Sequence, residues 1–260
     1  MDSNDPGAAA EILKLAFGES SDEEDSQFLL PPPVPPSAAW DPIVKINGLW
    51  LCRHFLSPSQ QLDLLSAIDA EGWFSTASHN QAMRFGNLPD WAVQLSDSIK
   101  EAVVLGNRIY GSEHCAENIL SASTSPSISP IFPRELLNRE LLFDQLIVNS
   151  YQPGEGICAH VDLLRFEDGI AIVSLESPCV MHFSRAAQKH EGLDMPTKEE
   201  DEAAVGVLLT PGSLVVMSGE ARYLWKHEIN RKPGFQVWLG EELVQSRRIS
   251  ITLRKLCSAV

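Results

Sequence analysis

Residues 141–163 read LLFDQLIVNSYQPGEGICAHVDL, and this stretch decides the fold class because it predicts two strands joined by a turn. The first run, Leu141–Tyr151, is mostly apolar, and the Pro-Gly pair after it is typical of a turn. The second run, Ile157–Leu163, carries the polar residues His160 and Asp162. The stretch therefore predicts short strands, one of which bears side chains suited to metal binding.

Six more runs of the same kind follow, with Gly, Pro or polar turns between them. They are Gly169–Leu175, Cys179–Ser184, Val205–Thr210, Ser213–Ser218, Tyr223–Ile229 and Arg248–Lys255. Short strands in series with little helix between them predict a closed or double-sheet antiparallel barrel, the jelly-roll or double-stranded β-helix. The polar and charged residues 186–202 interrupt the series, and we expect them to form a flexible insertion.

Upstream of the strand series, the pattern is more helical. Ile46 to Leu51 predict a first strand, and Ser57 followed by Pro58 is typical of a capped helix start. A second helix is predicted over Pro89–Leu105, and residues 111–133, rich in Ser, Pro and Asn, predict a long loop. The expected fold is mainly β with flanking helices (α+β), around a jelly-roll core over residues 140–256.

The first 42 residues differ in composition from the rest of the chain. They hold nine acidic residues and one basic residue, so they account for −8 of the net charge of −15 and leave −7 for the remainder. A charged, Pro-rich segment of this kind buries too little apolar surface to become ordered. We therefore expect a disordered tail over 1–42, able to contact a protein partner, and a folded domain over 43–256 whose first part, 43–135, is an extension and substrate lid.

Composition also limits the class of protein. No apolar run is long enough to cross a membrane, and the acidic N-terminus resembles neither a secretory signal nor a transit peptide. The five cysteines are scattered without a C-x-x-C pair, which favours reduced thiols over a disulfide framework. We expect a soluble monomer of the cytoplasm or nucleus, with no membrane partner.

The spacing of His160 and Asp162 indicates a metal site. Residues two apart on a strand point to the same face, and a third ligand from a distant strand would complete the two-histidine, one-carboxylate triad that binds iron(II). His227, in a late strand, is the better third ligand, and His182 is the alternative. The alternative interpretation of the H-x-D sequence is a solvated turn that carries two polar side chains and binds no metal.

The last predicted strand alternates strictly between polar and apolar residues. Arg248, Ser250, Thr252 and Arg254 therefore share one face. Two guanidiniums inside a barrel would be costly unless they met anions, and a small dicarboxylate fits because arginine grips a carboxylate through two parallel hydrogen bonds. The alternative is an edge strand whose polar face meets water.

These residues carry a family resemblance. The block Asn149 to Asp162 is similar to the N-x-Y-x-x-G…H-x-D motif of the AlkB-type iron(II)- and 2-oxoglutarate-dependent dioxygenases, and Arg248 with Arg254 resembles that family's R-x5-R signature. The stretches 218–227 and 166–168 most resemble the AlkB homologue that hydroxylates a modified wobble uridine in tRNA.

The resemblance implies a jelly-roll enzyme that uses iron(II), 2-oxoglutarate and O2 to oxidise a C–H bond, with succinate as the second product. It implies that His160, Asp162 and His227 bind the iron. It also implies that Arg248 and Tyr151 hold the distal carboxylate of 2-oxoglutarate, while Asn149 and Arg254 position its C1 end. These assignments are expectations for the structure to test.

The resemblance implies a nucleic-acid substrate, with RNA favoured over DNA: tRNA wobble uridine hydroxylation or N-methyl RNA demethylation. Arg84, Phe85 and Arg222 are the substrate-binding candidates, the arginines through phosphate and Phe85 through stacking on an unpaired base. Lys226, Arg231 and Lys232 are further phosphate candidates. Two alternatives stay open: a hydroxylase or demethylase of protein side chains, and a non-catalytic adaptor with the same fold.

Overall fold

A computed structural model describes residues 39–76, 79–117, 129–186 and 203–257, without the side chains of 111–117. The Pro-rich acidic part of the predicted tail and almost all of the predicted insertion at 186–202 lie outside the described residues. The domain that follows the tail is built from two antiparallel sheets with helices packed on one of them.

Four helices lie in the described residues: α1 (Pro58–Ala70), α2 (Asp90–Glu117), α3 (Arg134–Leu137) and α4 (Glu220–Tyr223). The predicted start of α1 is confirmed, because the Ser57 hydroxyl accepts from the Gln60 amide and the Gln60 side chain accepts from the Ser57 amide. The predicted loop at 111–133 was wrong in its first turns, since α2 continues to Glu117. None of the helices described here combines the length and the apolar character that crossing a bilayer demands.

The strands are β1 (Trp40–Pro42), β2 (Leu49–Cys52), β3 (Gln81–Phe85), β4 (Gln145–Tyr151), β5 (Ile157–His160), β6 (Ile170–Leu175), β7 (Cys179–Arg185), β8 (Val205–Leu209), β9 (Leu214–Met217), β10 (Trp225–Ile229), β11 (Val237–Trp238), β12 (Glu241–Glu242) and β13 (Arg248–Arg254). The major sheet has the order β1-β2-β9-β6-β13-β4-β3, the minor sheet has the order β5-β10-β7-β8, and β11 and β12 form a separate pair. This arrangement confirms the predicted fold class.

Each of the eight predicted strand runs matches an observed strand: seven of these strands are shorter than predicted, and β7 extends one residue further, to Arg185. Four of the described strands were not predicted: β1, β3, β11 and β12. β1 lies within the segment assigned to the tail, where Trp40 is buried and pairs with Cys52. β3 lies within the segment assigned to the lid and forms the edge of the major sheet beside β4.

The major sheet separates two apolar clusters. On its outer face, residues such as Val148, Ile249 and Ile251 pack against α1 and α2. On its inner face, residues such as Ile172 and Met217 pack against the minor sheet. Each sheet thus buries the alternate side chains that face its neighbour, as a β-sandwich requires.

β13 lies in the middle of the major sheet, between β4 and β6, so its interpretation as a water-exposed edge strand is wrong. Its polar face meets the interior: Arg248 lies directly across from Tyr151, Ser250 across from Asn149, and Arg254 across from Gln145. Register alone therefore brings the polar residues of two distant segments together inside the sandwich.

Candidate active site

Three side chains converge where the minor sheet faces the major sheet. His160 ends β5, His227 lies directly across from it on β10, and Asp162 follows two residues after His160. One ligand atom from each lies within 4.8 Å of the others. His227 Nε2 lies 3.6 Å from Asp162 Oδ2, and the two imidazole centroids are 4.3 Å apart. The three tips can therefore share one metal ion.

The local backbone explains how His160 and His227 meet. His160 pairs with His227 and Ile157 pairs with Ile229, so β5 carries one more residue than β10 between these pairs. At Gly156, just before β5, the backbone approaches β10 so closely that an added Cβ would lie 1.9 Å from the Ile229 carbonyl oxygen. Asp162 was predicted on the same strand as His160, but β5 ends at His160 and Asp162 lies beyond the ladder.

Both imidazoles are prepared to act as ligands. His160 Nδ1 lies 2.8 Å from the Cys158 carbonyl oxygen, which can only accept, so Nδ1 carries the hydrogen and Nε2 keeps its lone pair. Burial lowers the pKa of His227 to about 4, against the opposing effect of Asp162. His227 is therefore neutral at physiological pH, as a metal ligand must be.

The alternative third ligand, His182, does not reach the site. It lies on β7 between Met181, which lines the cavity, and Phe183, whose ring centroid lies 6.2 Å from that of His227. Successive strand residues point to opposite faces, so His182 points to the outer face of the minor sheet. Of the two candidates that the sequence offered, the structure brings only His227 to His160 and Asp162.

Arg254 completes the charged part of the site. Its guanidinium forms a buried ion pair with the Asp162 carboxylate and donates to Gln145 Oε1 at 2.8 Å. Burial lowers the pKa of Arg254, and the charge of Asp162 opposes that shift. Asp162 is therefore oriented from one side by Arg254, which leaves Oδ2 on the side of His227.

A cavity of about 100 Å³ opens beside the three side chains. Its walls come from both sheets, and the polar part of the lining includes Gln81, Asn149, Tyr151 and Ser250 together with Arg254. Gln81 Nε2 donates to Asn149 Oδ1 at 2.7 Å. Three of the four residues expected to bind 2-oxoglutarate therefore line one cavity next to the triad.

The fourth, Arg248, lies beside Tyr151, with its guanidinium carbon 5.7 Å from the ring centroid. It is fully buried, and Nη2 donates to Ser174 Oγ at 2.8 Å. Its Nε and Nη1 have no hydrogen-bond partner among the residues that the structure describes. A buried guanidinium with two idle donors is the arrangement expected for a carboxylate site that the protein itself does not fill.

Two predicted phosphate contacts are wrong. Arg222 is 1% exposed, and its guanidinium donates to backbone carbonyls of Asp162, Leu163 and Phe166. Arg231 is also 1% exposed and is held by backbone carbonyls in the same way. Neither charge can reach a phosphate, because both guanidiniums are buried and their terminal nitrogens donate to backbone oxygens of the fold.

The other two substrate candidates lie on opposite faces of β3. Phe85 pairs with Gln145 and stands on the cavity face of the sheet, 48% exposed. Arg84 points to the other face, where its guanidinium carbon lies 4.6 Å from the centroid of the Trp73 ring. Contact of either residue with a substrate stays a prediction, but only Phe85 can contact a base at the cavity.

Three residues that organise the site were not predicted from the sequence: Gln81, Gln145 and Ser174. Gln145 precedes Asn149 by four positions on one strand, so the period of two places both on the same face, and this signal could have found it. Ser174 is the polar residue of an otherwise apolar β6, which is also a readable signal. Gln81 carries no such signal, because its role follows from the pairing of β3 with β4.

A family model described as the 2OG-Fe(II) oxygenase superfamily matches residues 48–254, which include all three triad residues. The chain belongs to this superfamily. The resemblance to AlkB-type dioxygenases is confirmed as well, because the alkylated DNA repair protein ALKBH8 homolog of Arabidopsis thaliana is 30% identical to this oxygenase over 237 residues. The alignment covers 85% of this chain and 62% of that protein.

A second relative is the tRNA (carboxymethyluridine(34)-5-O)-methyltransferase alkbh8 of Xenopus tropicalis, 29% identical over 186 residues. That alignment covers 70% of this oxygenase and 25% of the relative, so the oxygenase spans less than two thirds of the length of both curated relatives. The solved structure of OsALKBH1 covers 80% of this chain and 97% of its own, with a TM-score of 0.54 and 16% identity, and supports the fold alone.

Membership of the superfamily means that this oxygenase uses iron(II), 2-oxoglutarate and O2. The site fits these groups on its own evidence. His160, Asp162 and His227 form the facial donor set that iron(II) prefers. The unpartnered donors of Arg248 fit a carboxylate of 2-oxoglutarate. Tyr151, Asn149 and Arg254 line the cavity beside the triad.

Proposed function

We propose that this oxygenase oxidises a C–H bond on a modified or alkylated nucleobase of RNA, either hydroxylating a tRNA wobble uridine or removing an N-methyl group. His160, Asp162 and His227 would hold the iron. Arg248 with Tyr151 would hold the distal carboxylate of 2-oxoglutarate, and Asn149 with Arg254 its C1 end. When bound, iron(II), 2-oxoglutarate and O2 together supply the oxidising chemistry.

The observation that carries the proposal is an exposed apolar rim beside the triad, formed by Met83, Phe85, Leu163 and Leu164. Their exposed fractions are 44%, 48%, 60% and 78%. The first two stand on the cavity face of the edge strand β3, and the last two follow the metal ligand Asp162 directly. An exposed rim of this kind indicates a binding surface rather than a packed core.

A basic side chain connects the two halves of this rim. The guanidinium carbon of Arg165 lies 5.8 Å from the centroid of the Phe85 ring and 5.1 Å from that of Phe166. An aromatic ring beside a guanidinium is suited to a substrate that combines a flat base with a phosphate, because the base stacks and the phosphate takes the charge. The names of two relatives, which mention alkylated DNA and a tRNA uridine, favour the same class of substrate.

The test is direct. The full chain, loaded with iron(II) and 2-oxoglutarate, is incubated separately with total tRNA, mRNA, single-stranded DNA and a protein extract, with Asp162→Ala as the inactive control. Mass spectrometry of nucleosides and peptides should find, in an RNA pool, a nucleoside that has gained an oxygen atom or lost a methyl group. A change confined to the DNA pool or to the peptides would contradict the RNA assignment.

A change in the peptides would instead support the second candidate, a protein side-chain hydroxylase or demethylase. The net charge of the chain, −15, favours this second candidate, because a basic protein would be attracted to the chain whereas nucleic acid would be repelled. The adaptor alternative has no such support, because the chain belongs to an oxygenase superfamily and retains a complete donor set.

The rim can be tested with a matched pair of variants. Phe85→Ala should raise the KM for the RNA substrate roughly 5- to 100-fold, because stacking of a base on an aromatic ring contributes about 1–3 kcal/mol. Phe235→Ala removes a phenylalanine of similar exposure, 52%, that lies in the segment between β10 and β11 rather than on the cavity face of the major sheet, and should leave the KM unchanged. Equal effects of the two variants would contradict a role of the rim in substrate binding.

A further inference from the structure

The segment that follows Asp162 belongs to no strand, and its far end is tied to the backbone after β13 by the isolated bridge of Phe166 with Leu256 and by the bond from the Cys257 amide to the Arg165 carbonyl oxygen. β5 ends at His160, so the ladder with β10 stops two residues before this metal ligand. Residues 162–166 nevertheless carry both the triad carboxylate and half of the apolar rim. The part of this segment nearest Asp162 therefore needs a further contact to fix its backbone.

Arg222, from α4, meets this requirement. Its Nη1 donates to the Asp162 carbonyl oxygen at 3.0 Å, and its Nη2 donates to the carbonyl oxygens of Leu163 at 2.8 Å and Phe166 at 3.1 Å. The planar guanidinium is fully buried, so these bonds form away from water, where an unpaired charge would be costly. One side chain thus satisfies three carbonyl groups that lie outside the sheet.

A second contact joins the same two segments in the opposite direction. The Asp168 carboxylate accepts from the Gly219 amide, at 2.9 Å to Oδ1 and 3.1 Å to Oδ2, just before α4. α4 leads directly into β10, where His227 lies five residues beyond Arg222. The position of Asp162 relative to His227 is therefore set by contacts between the segments that carry them.

We propose that Arg222 is a positioning residue for the metal centre: it fixes the backbone of Asp162 against the segment that leads to His227, and it holds Leu163 and Leu164 at the rim. The proposal rests on the triad being the metal site, but not on the identity of the substrate. In the described part of the chain, the hydrogen bonds of Arg222 go to backbone carbonyls and not to the side chains of the three ligands, so Arg222 acts through the backbone that presents Asp162.

Arg231 provides a matched control. It is as deeply buried as Arg222 and likewise donates to two backbone carbonyls, those of Gln152 and Ser246. These carbonyls lie in the turn after β4 and in the segment before β13, away from the triad residues. Replacing either arginine by methionine should destabilise the fold, but only one of the replacements should disturb the metal ligands.

The experiment measures the affinity of the metal-free full chain for Co(II), a redox-stable probe, by calorimetry and by the absorption spectrum of the bound ion. Arg222→Met should lose roughly 10- to 100-fold in affinity, as is typical when a residue that orients a metal ligand is removed, and should change the spectrum. Arg231→Met should stay within about twofold of the unmodified chain, since its contacts are distant from the ligands.

Arg222→Lys keeps the charge and one donor group but not the planar fork, so its affinity should lie between the other two. If Arg222→Met fails to fold, the Co(II) affinity of Arg222→Lys tests the proposal in its place. Unchanged Co(II) affinity and spectrum in a folded Arg222 variant would overturn the proposal and leave Arg222 a purely structural residue. Because no nucleic acid is present, a failure of the RNA assignment would leave this measurement intact.

Discussion

Arg254 and Arg248 stand on the same face of β13, one at each end, yet their surroundings are opposite. Arg254 is paired with the Asp162 carboxylate and also donates to Gln145. Arg248 is more deeply buried and has one hydrogen bond, to Ser174, with two donors idle among the described residues. A second positive charge lies nearby: the charge of Arg248 adds to burial in lowering the pKa of Arg231.

This difference separates two uses of a buried arginine. The charge of Arg254 is neutralised by Asp162 within the protein, and its role is to orient this metal ligand. Arg248 holds a charge that the described part of the protein does not neutralise, which is costly unless a ligand supplies the anion. We therefore predict that substitutions at the metal end of the site change the stability of the fold, whereas substitution of Arg248 changes the binding of 2-oxoglutarate.

The largest effect is expected from Asp162→Ala, which leaves Arg254 buried without its carboxylate. Removing one partner of a buried ion pair should lower the free energy of unfolding by about 3–5 kcal/mol, and loss of the ligand should abolish iron-dependent succinate formation. Denaturant unfolding and a succinate assay measure the two effects. The double variant Asp162→Ala with Arg254→Met should recover part of the stability but none of the activity. A single variant as stable as the unmodified chain would show that the pair contributes nothing.

The second effect concerns the other end of the strand. Arg248→Met should raise the apparent KM for 2-oxoglutarate roughly 10- to 100-fold, because hydrogen bonds to a charged group contribute about 1.5–3 kcal/mol. Its Co(II) affinity should not change, since Arg248 contacts none of the triad residues. The shift in melting temperature that 2-oxoglutarate produces should shrink in the variant. An unchanged KM would contradict the role assigned to Arg248.

The smallest effect is expected from Ser174→Ala, which removes the hydrogen bond that Arg248 makes within the protein. The guanidinium would keep its charge and lose part of its orientation, so the KM for 2-oxoglutarate should rise roughly two- to fivefold. Ser177→Ala removes another buried serine hydroxyl, one that does not contact Arg248, and serves as the control. A larger effect at residue 177 than at 174 would show that the orientation of Arg248 is set elsewhere.

The sequence was most informative where the chemistry follows from local spacing. His160 and Asp162 lie two residues apart, and the alternation from Arg248 to Arg254 follows the period of a strand, so both patterns could be read without the structure. The choice of His227 over His182 could be predicted from its place in a late strand. The structure supplies the reason, which is that β7 turns His182 outward.

The sequence was least informative where function depends on where a strand ends. Nothing local to Asp162 shows that β5 stops at His160, because that end depends on pairing with β10. Arg222 was therefore mistaken for a phosphate contact: an arginine outside the predicted strands is usually exposed, and the carbonyls that bury this one lie some sixty residues away in sequence. β3 was missed for a similar reason, since its sequence lacks a buried face and its partner β4 defines it.

The close approach of Gly156 to the Ile229 carbonyl has one more consequence. With no side chain at position 156, β5 can lie against β10 at a distance that no other residue type would permit. A methyl group there would push the two strands apart at one end, and the separation would reach the facing pair of imidazoles a few residues further on. The width of the gap that an ion must fill is thus determined by the missing Cβ of a residue that never touches the ion.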